Sequence, residues 1–349
     1  MDMKNGATAI LAIGVGLFLA CDGPQNAPDA GPECTLAWVS YRDGVPNIFC
    51  ADLPGGEVRK LTDLTEGAGR WGISDHGDRV YFGGKEAECW QVFRVRKDGT
   101  SLQALTDNAQ FDGNPEVSPD GIRLCFITKR WSYAYSDNDL AILSLSGGEP
   151  SRLTSHPGND DSQRWSPDGT KIAFVQTGEN GEFSVMAIES RTPFTLTRIS
   201  PEGYDAYSPC WSPDGAYLYY TLSGTDRRFV AKTDIESPSA FPENISGSQY
   251  TAENPAVSPD GSRIAFQAFV DGQWEIATVP SSGGGLTFVA PHSAEDICPC
   301  WSPDGSWIFW VSYRDGDREI YGAPANSGAT PVRFTNSNGD DIRPLCWAR

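Results

Sequence analysis

From Cys34 onward the apolar residues fall in short runs, not in the i, i+3, i+4 spacing of an amphipathic helix. "RLCFI", "KIAFV", "YLYYT", "RIAFQ" and "WIFWV" are such runs, rich in β-branched and aromatic residues. Polar turn residues separate them. No long apolar helical stretch follows residue 20. The pattern predicts an all-β chain.

The turn before each of those runs is the same. Ser-Pro-Asp-Gly begins at Ser118, Ser166, Ser212, Ser258 and Ser302, and a degenerate Ser-Asp-His-Gly begins at Ser74. Successive spacings are 44, 48, 46, 46 and 44. Proline presets φ for a tight turn, aspartate tolerates the bridge region, and glycine accepts the left-handed conformation that ends the turn. That predicts a hairpin with a glycine bulge. Each run then leads to a third strand, such as "DLAILSLSGG" or "REIYGAPANSG", and a short fourth one, such as "SRLT" or "VRFT". Four strands on a period in the mid-forties predict propeller blades.

The second strand of the unit recurs seven times, and its first copy, "TLAWVSYRDG", aligns with "WIFWVSYRDG". Nothing before Cys34 supplies a first strand for that copy. The missing strand is at the other end: "DIRPLCWAR" aligns with "EDICPCWSP", and Trp347 follows Trp301 by 46 residues. Residues 34–349 are therefore expected to form one seven-bladed β-propeller of four-stranded antiparallel blades. Its C-terminal strand completes the N-terminal blade, which removes both sheet edges.

Charge narrows the partners. With 46 acidic and 27 basic residues the formal charge is −19, which argues against nucleic acid and anionic lipid surfaces. It suits a cationic ligand, a metal, a basic protein surface, or solubility alone.

The first residues read as a targeting segment. Lys4 precedes the apolar run "GATAILAIGVGLFLA", which is short for a membrane span, and Cys21 follows. The segment resembles a bacterial lipoprotein signal peptide over residues 1–20, which implies lipidation at Cys21. Residues 21–33 are small, Pro-rich and polar, the composition of a flexible tether. Eight further cysteines, at 34, 50, 89, 125, 210, 298, 300 and 346, are an even number in an exported chain. Their spacing leaves the pairing open. Ring closure brings Cys34 and Cys346 into one blade, where a disulfide and two buried thiols are both open readings.

The unit P-x-W-S-P-D-G…I-A-F…D-G…G-G…L-T resembles the TolB-type, WD40-like propeller repeat, and the resemblance runs along the chain from residue 34. It implies a bacterial envelope protein whose partners are envelope or peptidoglycan-associated proteins. TolB itself looks like a six-bladed propeller behind an α/β domain; this sequence shows neither, so it resembles a TolB-like propeller lipoprotein. Dipeptidyl-peptidase-type enzymes carry similar repeats ahead of an α/β-hydrolase domain, but no G-x-S-x-G elbow is present here.

In this topology the Ser-Pro-Asp-Gly turns share one face and the more variable loops share the other. Two features mark the variable face. Glu66, Asp112, Asp160, Asp205, Glu253, Glu295 and Asp341 precede the first strands, often with a second acid such as Asp161, Asp296 or Asp340. They are expected either to make one channel mouth acidic or to cap their own loops. The loop Thr128–Leu140 of the third blade is enlarged and offers Lys129, Arg130, Trp131, Tyr133 and Tyr135 as binding candidates. It reads either as a recognition surface or as a loop folded onto its own propeller. Oligogalacturonate lyase, on a related scaffold, looks to use clustered histidines for its metal. Here only His76, His156 and His292 exist, and the topology sends them to different places.

These readings predict a non-catalytic binding or scaffolding propeller, lipid-anchored at the envelope and facing the periplasm. No catalytic residue is assigned and no cofactor is expected, apart from the option of a structural Ca²⁺ in the channel. The alternative is a carbohydrate-active hydrolase or lyase that uses acids at the channel mouth.

Overall fold

The computed structural model describes residues 31–131, 137–238, 241–325 and 328–348. They form seven four-stranded antiparallel sheets, the blades of one propeller, and no helix occurs among the described residues. Blades 2 to 7 each take four consecutive strands. Blade 1 is composite: Asp341–Ala348 pairs with Cys34–Ser40, which pairs with Asn47–Leu53, then Arg59–Lys60. The expected closure of the ring by the C-terminal strand is what the register shows, with Cys34 opposite Ala348 and Ser40 opposite Asp341.

The middle strands are apolar on both faces because each blade is packed on two sides. Seven apolar clusters fill the ring, one at each boundary between neighbouring blades. Phe174 and Ile172 of blade 4 meet Cys125 and Ile127 of blade 3, and Phe309 of blade 7 meets Leu36 and Trp38 of blade 1. The tryptophan before three of the Ser-Pro-Asp-Gly turns ties blades together: Trp165, Trp211 and Trp301 each donate the indole N–H to a carbonyl of the preceding blade, at 3.0, 2.9 and 2.9 Å.

The turn works as its residues suggest. In the unit at Ser258 the serine hydroxyl donates to Asp260 and accepts the Arg263 N–H at 3.0 Å, while Gly261 donates to the Ser258 carbonyl at 2.8 Å. Gly261 has φ +71°, and a Cβ there would come within 3.3 Å of Pro213 in the turn of the preceding blade. Two demands, a left-handed backbone and close contact with the neighbouring turn, fix glycine at this position.

Every first strand carries a bulge. At the bulge, Asn114, Ser162, Ser208, Asn254, Cys298 and Arg343 adopt φ between 48° and 57°. Recurrence in six blades marks this as architecture, since a bulge sharpens the local twist where inner strands converge.

Candidate functional site

The variable face is built from the loops between second and third strands and the loops that enter each blade. Its acids divide into two sets. One residue is buried where each first strand begins: Ala68, Asp112, Asp160, Ala206, Asp296 and Asp341 at the first position, and Ala252 at the second position of Thr251–Val257. Of the acids marked in the sequence, Asp112, Asp160 and Asp341 take that position. Glu66, Asp205 and Glu295 precede it, Glu253 follows it, and in blade 7 the buried acid is Asp296. The seven acids therefore do not make one ring.

Three of the buried aspartates are neutralised by an arginine two residues beyond the end of the second strand. Arg130 bridges Asp112 at 2.7 Å, Arg314 bridges Asp296 at 2.7 Å, and Arg42 bridges Asp341 at 3.4 Å. A hydroxyl completes the first of them, Thr128 donating to Asp112 at 2.6 Å. Asp160 meets no arginine among the described residues; it accepts from Gln176 at 3.1 Å, and burial, with Asp139 and Asp137 nearby, pushes its carboxyl up to about 7. The shallower acids are also engaged. Glu66 meets Lys85 at 3.3 Å, Glu253 meets Arg228 at 2.6 Å, and Asp205 accepts the Phe183 N–H at 3.0 Å.

The enlarged loop of blade 3 is described up to Trp131 and from Asp137; Tyr133 and Tyr135 lie outside the described residues, as does Cys21. Arg130 is committed to Asp112. Trp131 is half-buried against the apolar cluster that contains Phe126 and Ala141, with the Arg152 guanidinium 5.7 Å from the ring centroid. The Lys129 N–H bonds the Phe111 carbonyl at 2.9 Å. This part of the loop is folded onto its own propeller.

Two concavities open on the variable face. One, of about 620 Å³, lies between blades 4 and 5 and is lined by Asn180, Glu182, Tyr204, Asp205, Ser223 and Thr225, with Gly181, Gly203 and Gly224. Its lips are held in place: the Glu182 carboxylate accepts from Arg198 and from the Gly203 N–H, and the Ser223 N–H bonds the Asp205 carbonyl at 2.8 Å. The Tyr204 ring meets Phe241 edge-on at 5.5 Å, and Phe241 is half exposed. A groove with an aromatic wall and amide, hydroxyl and carboxylate groups is a binding surface by its chemistry. Of its lining residues the sequence marks only Asp205, because the groove is assembled from three loops of ordinary length. The second cavity, of about 430 Å³, lies in blade 6 and contains Glu275 and His292.

The histidines are dispersed. His76 ends the strand Ala68–His76 and packs under the Gly121 turn, whereas His292 borders the blade 6 cavity. Among the described residues, no group of three or more His, Cys, Asp or Glu side chains is placed to hold a metal ion.

Residues 199–347 match the family model described as the TolB beta propeller domain. This chain carries a TolB-like β-propeller. The TolB-like repeats align at 30% identity over 152 residues with an uncharacterised protein of Agrobacterium fabrum, covering 41% of this chain and 51% of that protein. A TolB homologue of Chlorobium chlorochromatii aligns at 28% over 150 residues, covering 40% of this chain and 30% of the homologue. The aligned region thus spans about half of one relative and under a third of the other. Among solved structures, an oligogalacturonate lyase in complex with manganese superposes on the TolB-like propeller with a TM-score of 0.69 at 18% identity, covering 83% of this chain and 85% of that one. At that identity the likeness is one of fold.

Proposed function

We propose that this TolB-like propeller is a non-catalytic binding module of the bacterial envelope, acting through its variable face. The observation that carries the reading is the aromatic-walled groove of about 620 Å³ between blades 4 and 5. The placement of the N-terminus supports the geometry. Cys34 lies at the end of its strand where Leu53 pairs with it, near the Ser-Pro-Asp-Gly face. A lipidated Cys21 and the flexible tether of residues 21–33 would attach the propeller from that face and leave the groove face unobstructed. The likeness to TolB homologues supports an envelope protein as partner.

Photocrosslinking in native envelopes from position 225, which lines the same groove, tests this. One dominant partner, lost in Tyr204→Ala, is expected; an unchanged pattern in that variant would sink the reading.

A second reading, a carbohydrate-active hydrolase or lyase, draws on the carboxyls of Asp160 and Glu275, which burial pushes up to about 7, suited to holding a proton at neutral pH. Turnover of any oligosaccharide in a polysaccharide screen, abolished by Asp160→Asn or Glu275→Gln, would favour it over the binding module.

A further inference from the structure

Blade 6 keeps half of an assembly that blade 7 completes. In blade 7 the third strand begins with Glu319, which is fully buried. Its carboxylate accepts three donors: the Thr335 hydroxyl, the Arg333 guanidinium at 2.9 Å and the Ser337 N–H at 3.0 Å. The pairing registers place Glu275 of blade 6 at the same point, since Ala277 faces Phe288 as Tyr321 faces Arg333. Glu275 is only 6% exposed and accepts the His292 N–H at 3.0 Å, the counterpart of the Ser337 bond. Its other two donors are gone. Phe288 stands where blade 7 has Arg333, and Ala290 where it has Thr335.

Two consequences follow in the structure. The second oxygen of Glu275 is buried without a hydrogen-bond partner. Beside it lies the cavity of about 430 Å³, lined also by Asp271, Phe288, Pro291 and His292. Among the described residues, no lysine or arginine lines it. The charged groups that act on Glu275 are Asp296 and Arg314, and Arg314 is already bound to Asp296 at 2.7 Å. A buried carboxylate with neither cation nor hydroxyl is costly, and structures normally supply a partner.

We propose that the blade 6 cavity takes a cationic side chain, lysine or arginine, from a basic segment of a binding partner, so that the ligand stands where Arg333 stands in blade 7. Glu275 supplies the counter-charge, the face of Phe288 attracts the cation, and the field of a chain with net charge −19 draws a basic segment toward it. The inference rests on the binding-module reading and names the chemistry of one partner contact.

The probes are fluorescein-labelled octalysine and octaarginine, with octaglutamate as control, titrated by anisotropy into the full chain at two salt concentrations. The expected result is one saturable site for the basic peptides. Glu275→Gln should weaken it tenfold or more, while the exposed Glu57→Gln leaves it unchanged. The double variant Phe288→Arg with Ala290→Thr rebuilds the blade 7 arrangement, so it should abolish binding while its melting temperature holds or rises. That variant decides the matter if Glu275→Gln does not fold. Equal weakening by Glu275→Gln and Glu57→Gln, or full binding by the double variant, overturns the proposal. Envelope crosslinking from position 225 that still finds a partner, while the wild-type chain binds neither peptide, overturns this inference alone and leaves the binding module standing.

Discussion

The sulfur of Cys346 lies 2.8 Å from the sulfur of Cys34, although 312 positions of chain separate the two residues. They sit diagonally across the seam where the last strand joins the first, Cys346 opposite Leu36 and Cys34 opposite Ala348. We propose that they form a disulfide in the exported protein. Exchange with an external disulfide joins the two sulfurs, and the external disulfide leaves as two thiols. Non-reducing peptide mapping should recover the Cys34 and Cys346 peptides as one species. Reduction, or Cys346→Ser, should cost about 2–4 kcal/mol in urea unfolding. A map that pairs Cys346 with the neighbouring Cys300 would refute the assignment.

The pair Arg314 and Asp296 is almost fully enclosed, with side-chain exposures of 9% and 1%. Arg314→Ala strands a carboxylate in the interior, which should cost about 3–5 kcal/mol. Replacing both residues by leucine should recover most of that loss. A single variant within about 1 kcal/mol of wild type in denaturant titration would show that the pair is open to solvent.

Trp211 donates its indole N–H to the Arg164 carbonyl of the preceding blade at 2.9 Å. Trp211→Phe keeps a smaller aromatic ring but leaves that carbonyl without its donor. A loss of about 1–2 kcal/mol is expected, measured as a lowered urea midpoint with an unchanged m-value.

Stability should fall from the acid side and again toward alkaline pH. Burial pushes Glu275 up to about 7, with Asp296 adding to the rise and Arg314 and the His292 N–H opposing it. A carboxyl raised in the fold binds its proton more tightly there than in the unfolded chain. Its destabilising effect therefore begins above the ordinary carboxylate range and grows until pH passes about 7. Glu275→Gln should be neutral at pH 4 and stabilising by about 1–3 kcal/mol at pH 8, read from thermal melts across that range. The turn aspartates act oppositely. Asp260 is pulled down to about 2 by the Ser258 hydroxyl and the Ser262 N–H, so its contribution is present above the ordinary range and is lost as pH falls toward 2.

The blades were legible because each is closed by the same turn at nearly the same interval. The ring closure was legible because "PLCWAR" repeats the residues before that turn. The acids were harder to read. Spacing alone cannot separate Asp205, which caps the Phe183 N–H at 3.0 Å, from Asp112, which is buried under Arg130. A shift of one residue along a strand moves a side chain from solvent to core. Arg130 looked free for the same reason, since its partner lies 18 positions earlier. The Glu275 cavity shows only when "TFVAPHS" is set beneath "VRFTNSN" and the lost arginine and threonine are seen together.

The composite first blade also sets an order of events during synthesis. Cys34–Ser40 is synthesised some three hundred residues before its inner neighbour, Asp341–Ala348. Until those residues arrive, the nascent ring holds an unpaired edge beside Ala37, Trp38 and Val39, all buried in the finished protein. A chaperone that masks exposed strands would be needed longest at the N-terminal blade. A chain cut before residue 341 would keep six complete blades and one adhesive edge, an aggregation-prone product and not a smaller propeller.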